Sequence, residues 1–226
     1  RYLFTGIAVV MLLVMFWFPS SRKIQLPANR TDFSHMGEIL SLRRFWLFGS
    51  ALGFAGGAEG AFTFWSASYI QLSFDQLPRA GAFGTAAFAL GMAIGRFSSS
   101  RIAGKIGLRR LIIISLLCGV LVSGGFFFVR NLFTLYAFLA VIGLCIATLW
   151  PSIQSYAGSQ LAVDPTILMI FLSCFGLPGF NSATFIMGVI GDRWGLRASF
   201  IVAPVYILFA LILMLIDRKL GKKTVR

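Results

Sequence analysis

Long apolar runs, broken at short intervals by a few polar or charged residues, set the pattern of this chain. Each run is roughly 17 to 25 residues, enough for a helix rising about 1.5 Å per residue to cross about 30 Å of hydrocarbon. The runs fall at 2–18, 45–70, 80–100, 108–129, 132–158, 166–190 and 197–216, so seven transmembrane helices are expected. The strict apolar–polar alternation of a lipid-facing barrel strand is not apparent. The fold class expected is therefore all-α integral membrane protein.

Composition agrees with the pattern. Hydrophobic residues make up 58% of the 226 positions, charged residues only 12%, and the mean hydropathy is +0.87, far from the values of a soluble domain. The formal net charge of +13 would suit nucleic acid, but its distribution argues against such a partner. With the break after the first run taken as cytoplasmic, 15 of the 20 basic residues fall on the inside, among them Arg22, Arg43, Arg44, Arg96, Lys105, Arg109, Arg110 and Lys222. Arg1, Arg79, Arg130, Arg193 and Arg197 fall outside. This bias is the positive-inside signature, and it places the C-terminus in the cytoplasm of a bacterial inner or plasma membrane. Cys118, Cys145 and Cys174 lie within runs without metal-ligand spacing, and the single histidine, His35, lies in a polar loop. No metal and no cofactor are expected.

One run, a long polar break, then six closely connected runs divide the chain into 1–18, a cytoplasmic linker at 19–44, and a six-span body at 45–226. This layout is what remains when a twelve-span protein of two six-span halves loses its first five spans. A seven-span protein would give it too. Arg1 stands directly against an apolar run with no initiator Met, so a piece of a longer protein is expected, its N-terminal half being the missing partner. In the third run Gly84, Ala87, Gly91 and Gly95 recur at helical spacing as a packing face. FGLPGFN (175–181) sets Pro178 between two glycines, and a mid-helix kink is expected there.

One acid stands inside the 45–70 run: Glu59, in GGAEG. Burying a charge at mid-helix costs about 2.5 to 3.5 kcal/mol on insertion scales, so it should face protein or water. Its neighbours at helical spacing, Leu52, Ala55, Gly56, Phe62, Thr63 and Ser66, are mostly small or mildly polar, whereas Phe54, Phe64 and Trp65 lie to the other side. Two readings stay open: Glu59 fixes helix packing, or it borders a solute cavity and binds hydroxyls or exchanges a proton. Thr63, Ser66, Trp150, Gln154 and Asn181 are the companion candidates. Trp150, with Tyr156 and Tyr69, equally suits an interfacial or packing aromatic.

Two stretches resemble the loop signature of the major facilitator superfamily. SRIAGKIGLRR (100–110) keeps Lys105, Gly107, Arg109 and Arg110 but has Gly104 where the family has aspartate, so the family's carboxylate latch is not carried over. GVIGDRWGLRASF (188–200) keeps Gly188, Asp192, Arg193, Gly195 and Arg197 and resembles the related outside turn. GGAEG, GMAIGRF (91–97) and WPSIQSYA (150–157) resemble the fucose/galactose/glucose proton-symporter branch. The resemblance implies spans 6 to 12 of a twelve-span fold. It also implies a small polar solute, a sugar first, carried through the lipid bilayer by alternating access, with protons as a coupling partner.

The rival reading is a seven-helix receptor, which shares the deduced topology. No Lys lies within a run, against a retinal Schiff base, and no outside cysteine pair ties loops together. A membrane enzyme would need a clustered His, Cys or carboxylate site, and none is found. Transport without catalysis is the expectation.

Overall fold

The computed structural model describes residues 2–17 and 36–223, and the chain divides into two compact units, 1–32 and 33–226. The first unit contains α1 (Tyr2–Trp17), an apolar helix of 16 residues. Most of the expected linker, with His35, lies outside the described residues. Its last part does not stay irregular: α2 (Met36–Ser41) is a short helix that buries Ile39, and α3 (Arg43–Ser73) begins two residues ahead of the expected span.

In the second unit α4 (Pro78–Ile106), α5 (Leu108–Gly125), α6 (Leu132–Ala147), α7 (Leu149–Gln160), α8 (Pro165–Ser173), α9 (Gly176–Trp194), α10 (Leu196–Ser199) and α11 (Val202–Lys223) follow. A 3-10 turn at Phe126–Phe128 prolongs α5. Among the described residues every regular element is helical. Five segments among the described residues are long and apolar enough to cross a membrane: Pro78–Ile106, Leu108–Phe128, Leu132–Gln160, Pro165–Trp194 and Leu196–Asp217.

Three of those segments are two helices in line, and one cause explains the breaks. Pro151, Pro178 and Pro204 each stand third in the second helix, at α7, α9 and α11. A proline ring collides with the carbonyl four residues back and offers that carbonyl no N–H. Those carbonyls belong to Ala147, Cys174 and Phe200, which is where the first helices stop. Pro178 therefore sits in a first turn, where a missing N–H costs nothing, and the expected kink is a break placed ahead of it.

α3 is the axis of the unit. At 31 residues it is long enough to span, about 46 Å at 1.5 Å per residue, yet it is less apolar than the five segments above. Its environment explains the difference. It packs against α4, α7, α8, α9 and α11, so most of its surface meets protein rather than lipid and needs small residues more than greasy ones. Aromatic rings from other helices seat on its glycines, Phe175 over Gly49, Tyr206 over Gly57 and Phe180 over Gly60. Phe54 stacks on Phe209 at 5.2 Å, and Trp65 Nε1 donates to the Thr184 carbonyl at 3.1 Å. Phe64 is exposed. The expected face of α4 is also present: Gly84 lies against Ile70, Gly91 against the Ala140 carbonyl, and Gly95 against Ala147.

The two ends of the bundle are closed by different chemistry. At one, Phe62, Tyr69, Phe126 and Phe200 form a ring cluster, with Phe126 and Phe200 stacked at 4.2 Å. At the other, Arg44 at the start of α3 meets Asp217, which is 1% exposed, with an Nη2–Oδ1 distance of 2.7 Å. Tyr156 Oη donates to the second Asp217 oxygen at 3.1 Å, and Arg44 also donates to Gln160 Oε1 at 3.2 Å. Helices α3, α7 and α11 are thereby tied by one buried charge pair and its satellites.

The two motif-bearing turns share one backbone. Gly107 has φ 85° and ψ 148°, and Gly195 has φ 86° and ψ 152°, a region open essentially to glycine alone. Each is followed by Leu-Arg, and each arginine bonds a backbone carbonyl of another segment. Arg109 Nη2 donates to the Met214 carbonyl at 3.3 Å, and Arg197 Nη2 donates to the Phe127 carbonyl. Gly107→Ala is expected to cost about 2 kcal/mol through forced backbone strain. Helical Gly104→Ala, with nothing within 4 Å of its Cβ position, should leave the thermal midpoint in detergent unchanged or raise it.

Candidate functional site

Glu59 lies near the middle of α3, about 24 Å from its first residue along the helix. Its counter-charge comes from α4, where Arg96 Nη2 stands 3.5 Å from Glu59 Oε1. The pair is loose and open: the arginine side chain is 54% exposed and the glutamate 28%. It sits on the rim of a cleft of about 490 Å3 lined by Gly56, Glu59, Arg96, Trp150, Pro151, Gly176, Leu177 and Phe180. A second cleft of about 330 Å3 lies on the other side of the pair, lined by Thr63, Thr85, Phe88, Ala89, Met92 and Ala93 together with both charges.

The broken helices build this cleft. Trp150 and Pro151 open α7 directly after the break at Thr148, and Gly176 and Leu177 open α9 after the break at Phe175. Gly176 is required here because the Trp150 ring occupies the space a Cβ would take. The Thr148 hydroxyl, left at the break, donates to Ser115 Oγ at 2.8 Å. Irregular backbone at mid-bundle is tolerated where it is enclosed by protein or lines a cavity. A carboxylate, a guanidinium and an indole ring thus face one space that could hold a small molecule by charged hydrogen bonds and stacking.

Three of the six candidates named from sequence meet at this site: Glu59 and Trp150 on the first cleft, and Thr63 on the second. Ser66 is buried and donates to the Phe62 carbonyl within its own helix, so it fills the α3 core. Gln154 donates to Ser173 Oγ at 2.9 Å, joining α7 to α8. Asn181 is exposed on α9 beside Phe180 and lines neither cleft. Among the motif residues, Gly107 and Arg109 act in the turn described above, whereas Lys105, Arg110, Asp192 and Arg193 are exposed.

Arg96 was counted with the inside charges, but it lies ten residues before the end of α4 and turns toward Glu59. The signal was available. A lone arginine within a run, like a lone glutamate in the next, calls for an opposite charge on a neighbouring helix. The Arg44–Asp217 pair was missed because both residues sit at span ends, where charges are ordinarily solvated.

The sequence model described as Major Facilitator Superfamily matches residues 1–180. The chain belongs to this superfamily. It is also 34% identical over 164 residues to Membrane protein MosC of Rhizobium meliloti, an alignment that covers 71% of this chain and 40% of MosC. The matched region thus spans less than half the length of that relative. As a superfamily member with five membrane-grade segments, it is a multi-pass integral membrane protein. Membership does not favour the receptor reading, and it points toward transport rather than catalysis.

Proposed function

We propose that the chain is the last span of the N-terminal half, the linker and the whole C-terminal half of a secondary transporter, with α1 as span six and α3 as span seven. It moves a small polar solute, a sugar first, by alternating access across a bacterial inner or plasma membrane, with its C-terminus in the cytoplasm. The observation that carries this reading is the Glu59–Arg96 pair on the rim of a cleft formed where α7 and α9 begin. Six helical segments in the unit 33–226, α3 and the five membrane-grade ones, support the count.

A sugar brings hydroxyls and an apolar ring face. Glu59 accepts hydrogen bonds from the hydroxyls, Arg96 donates to them, and the Trp150 indole covers the ring face. Because the pair is loose, a solute hydroxyl or a proton can replace Arg96 at Glu59 without breaking a tight bidentate contact. Thr63, on the second cleft, extends the polar lining away from Trp150. Gln154 and Asn181 remain as candidates that would join the site only when the two halves enclose it.

Proteoliposomes carrying the full-length protein test the reading with fucose, glucose, galactose and non-sugar solutes. Loss of one charged hydrogen bond is worth about 1.5 to 3 kcal/mol, so Glu59→Gln should lower driven uptake about 10- to 100-fold. If exchange of labelled for unlabelled solute survives while accumulation is lost, Glu59 carries the proton. Wild-type rates of both in Glu59→Gln and Arg96→Gln would sink the site.

A further inference from the structure

A further cavity, which shares no lining residue with the two clefts at Glu59, lies between the start of α5 and the second half of α11. It holds about 420 Å3 and is lined by Arg109, Arg110, Ile113, Ile114 and Leu215. We propose that this groove binds the phosphate of an anionic phospholipid, with an acyl chain laid along Ile113, Ile114 and Leu215.

Two arginines and three aliphatic side chains line the groove, and among the described residues no acid does. Arg109 is half-buried and held by its bond to the Met214 carbonyl, which presents the rest of its guanidinium at a fixed place. Arg110 is exposed and makes no ion pair or hydrogen bond with any described residue, so its five donors are open to a ligand. A planar guanidinium meets phosphate oxygens through two parallel N–H bonds, a geometry lysine cannot offer.

The order of the lining is that of a lipid. The guanidinium groups come from the first turn of α5, and Ile113 and Ile114 follow one turn deeper along the same apolar segment. Ile114, Leu117, Leu215 and Ile216 are all more than 40% exposed, so the groove opens on a greasy outer face. A charge that served only to orient the chain during insertion would need no cavity and no aliphatic wall beneath it. Basic pockets between helices at a membrane surface are where anionic headgroups settle.

Native mass spectrometry of the purified 226-residue chain in detergent can test this. It is titrated with phosphatidylglycerol and with phosphatidylcholine of the same acyl chains. Phosphatidylglycerol should bind the tighter of the two, and Arg110→Gln, which breaks no bond in the fold, should weaken it about five-fold. Leu215→Trp fills the apolar wall, keeps every charge, and should weaken it as well. Lys105→Gln removes the same charge from an exposed position outside the groove and should change nothing. Three results would overturn the proposal: equal losses in Lys105→Gln and Arg110→Gln, unaltered binding in Leu215→Trp, or displacement of phosphatidylglycerol by millimolar inorganic phosphate alone.

Discussion

Leucine at Gly91 is expected to prevent α4 and α6 from closing, leaving little folded protein in detergent. A single methyl there would already collide with the Ala140 carbonyl oxygen and crowd the Leu144 amide, and a methyl at Gly143 of α6 would collide with the Phe88 carbonyl. These neighbours are backbone, so no side chain can swing away. Small-residue contacts of this kind take the place of the hydrophobic drive that helices lack in lipid. Gly91→Ala should cost about 3 kcal/mol, the upper part of the usual overpacking range, and leucine more. The check is the folded fraction by size exclusion and the thermal midpoint, with Gly124→Ala as control, since nothing lies within 4 Å of its Cβ position. A Gly91→Leu protein that melts like wild type would refute the packing account.

Asp217→Ala carries the second large effect. It strands Arg44, whose side chain is 20% exposed, opposite an emptied carboxylate site, and it also removes the acceptor of the Tyr156 hydroxyl. Breaking one partner of a buried pair costs about 3 to 5 kcal/mol, and the partial exposure of Arg44 sets the expectation at the lower end. Tyr156→Phe should cost only about 1 kcal/mol. Removing both charges, Arg44→Leu with Asp217→Leu, should recover most of the loss, because the penalty lies in the uncompensated charge. Thermal unfolding of the four proteins in one detergent decides it. A double variant no better than Asp217→Ala would mean that the pair is needed for more than charge balance.

Helical class and packing faces were legible where a physical rule acts on few residues. Apolar runs long enough to span had to be helices, and the glycines of α4 at helical spacing had to meet another helix. Glu59 could be read because a carboxylate in lipid has few tolerable environments. Its partner could not be fixed by spacing, since Arg96 is 37 residues away and the contact depends on how α3 and α4 cross. Ser66 shows the converse failure. A hydroxyl one helical repeat from Glu59 points to the same stripe, but it is satisfied by its own backbone and turns into the core. The breaks were legible in part: the sequence pointed to a disruption at Pro178 alone, and the location of all three follows only when the disturbed carbonyl is counted four residues back from Pro151, Pro178 and Pro204.

The glycines of α3 have a consequence for depth. Phe175 sits on Gly49 and Phe180 on Gly60, while Gly53 and Gly179 meet backbone to backbone between them. One turn before Gly49 stands Phe45, already 5.7 Å from Phe175 ring to ring, and one turn beyond Gly60 stands Phe64. A slide of α9 by one turn, about 5.4 Å, would drive a phenylalanine onto another phenylalanine whichever way it went. The two helices therefore fit like a key cut to one depth, and the Phe180 wall of the cleft is held level with Glu59.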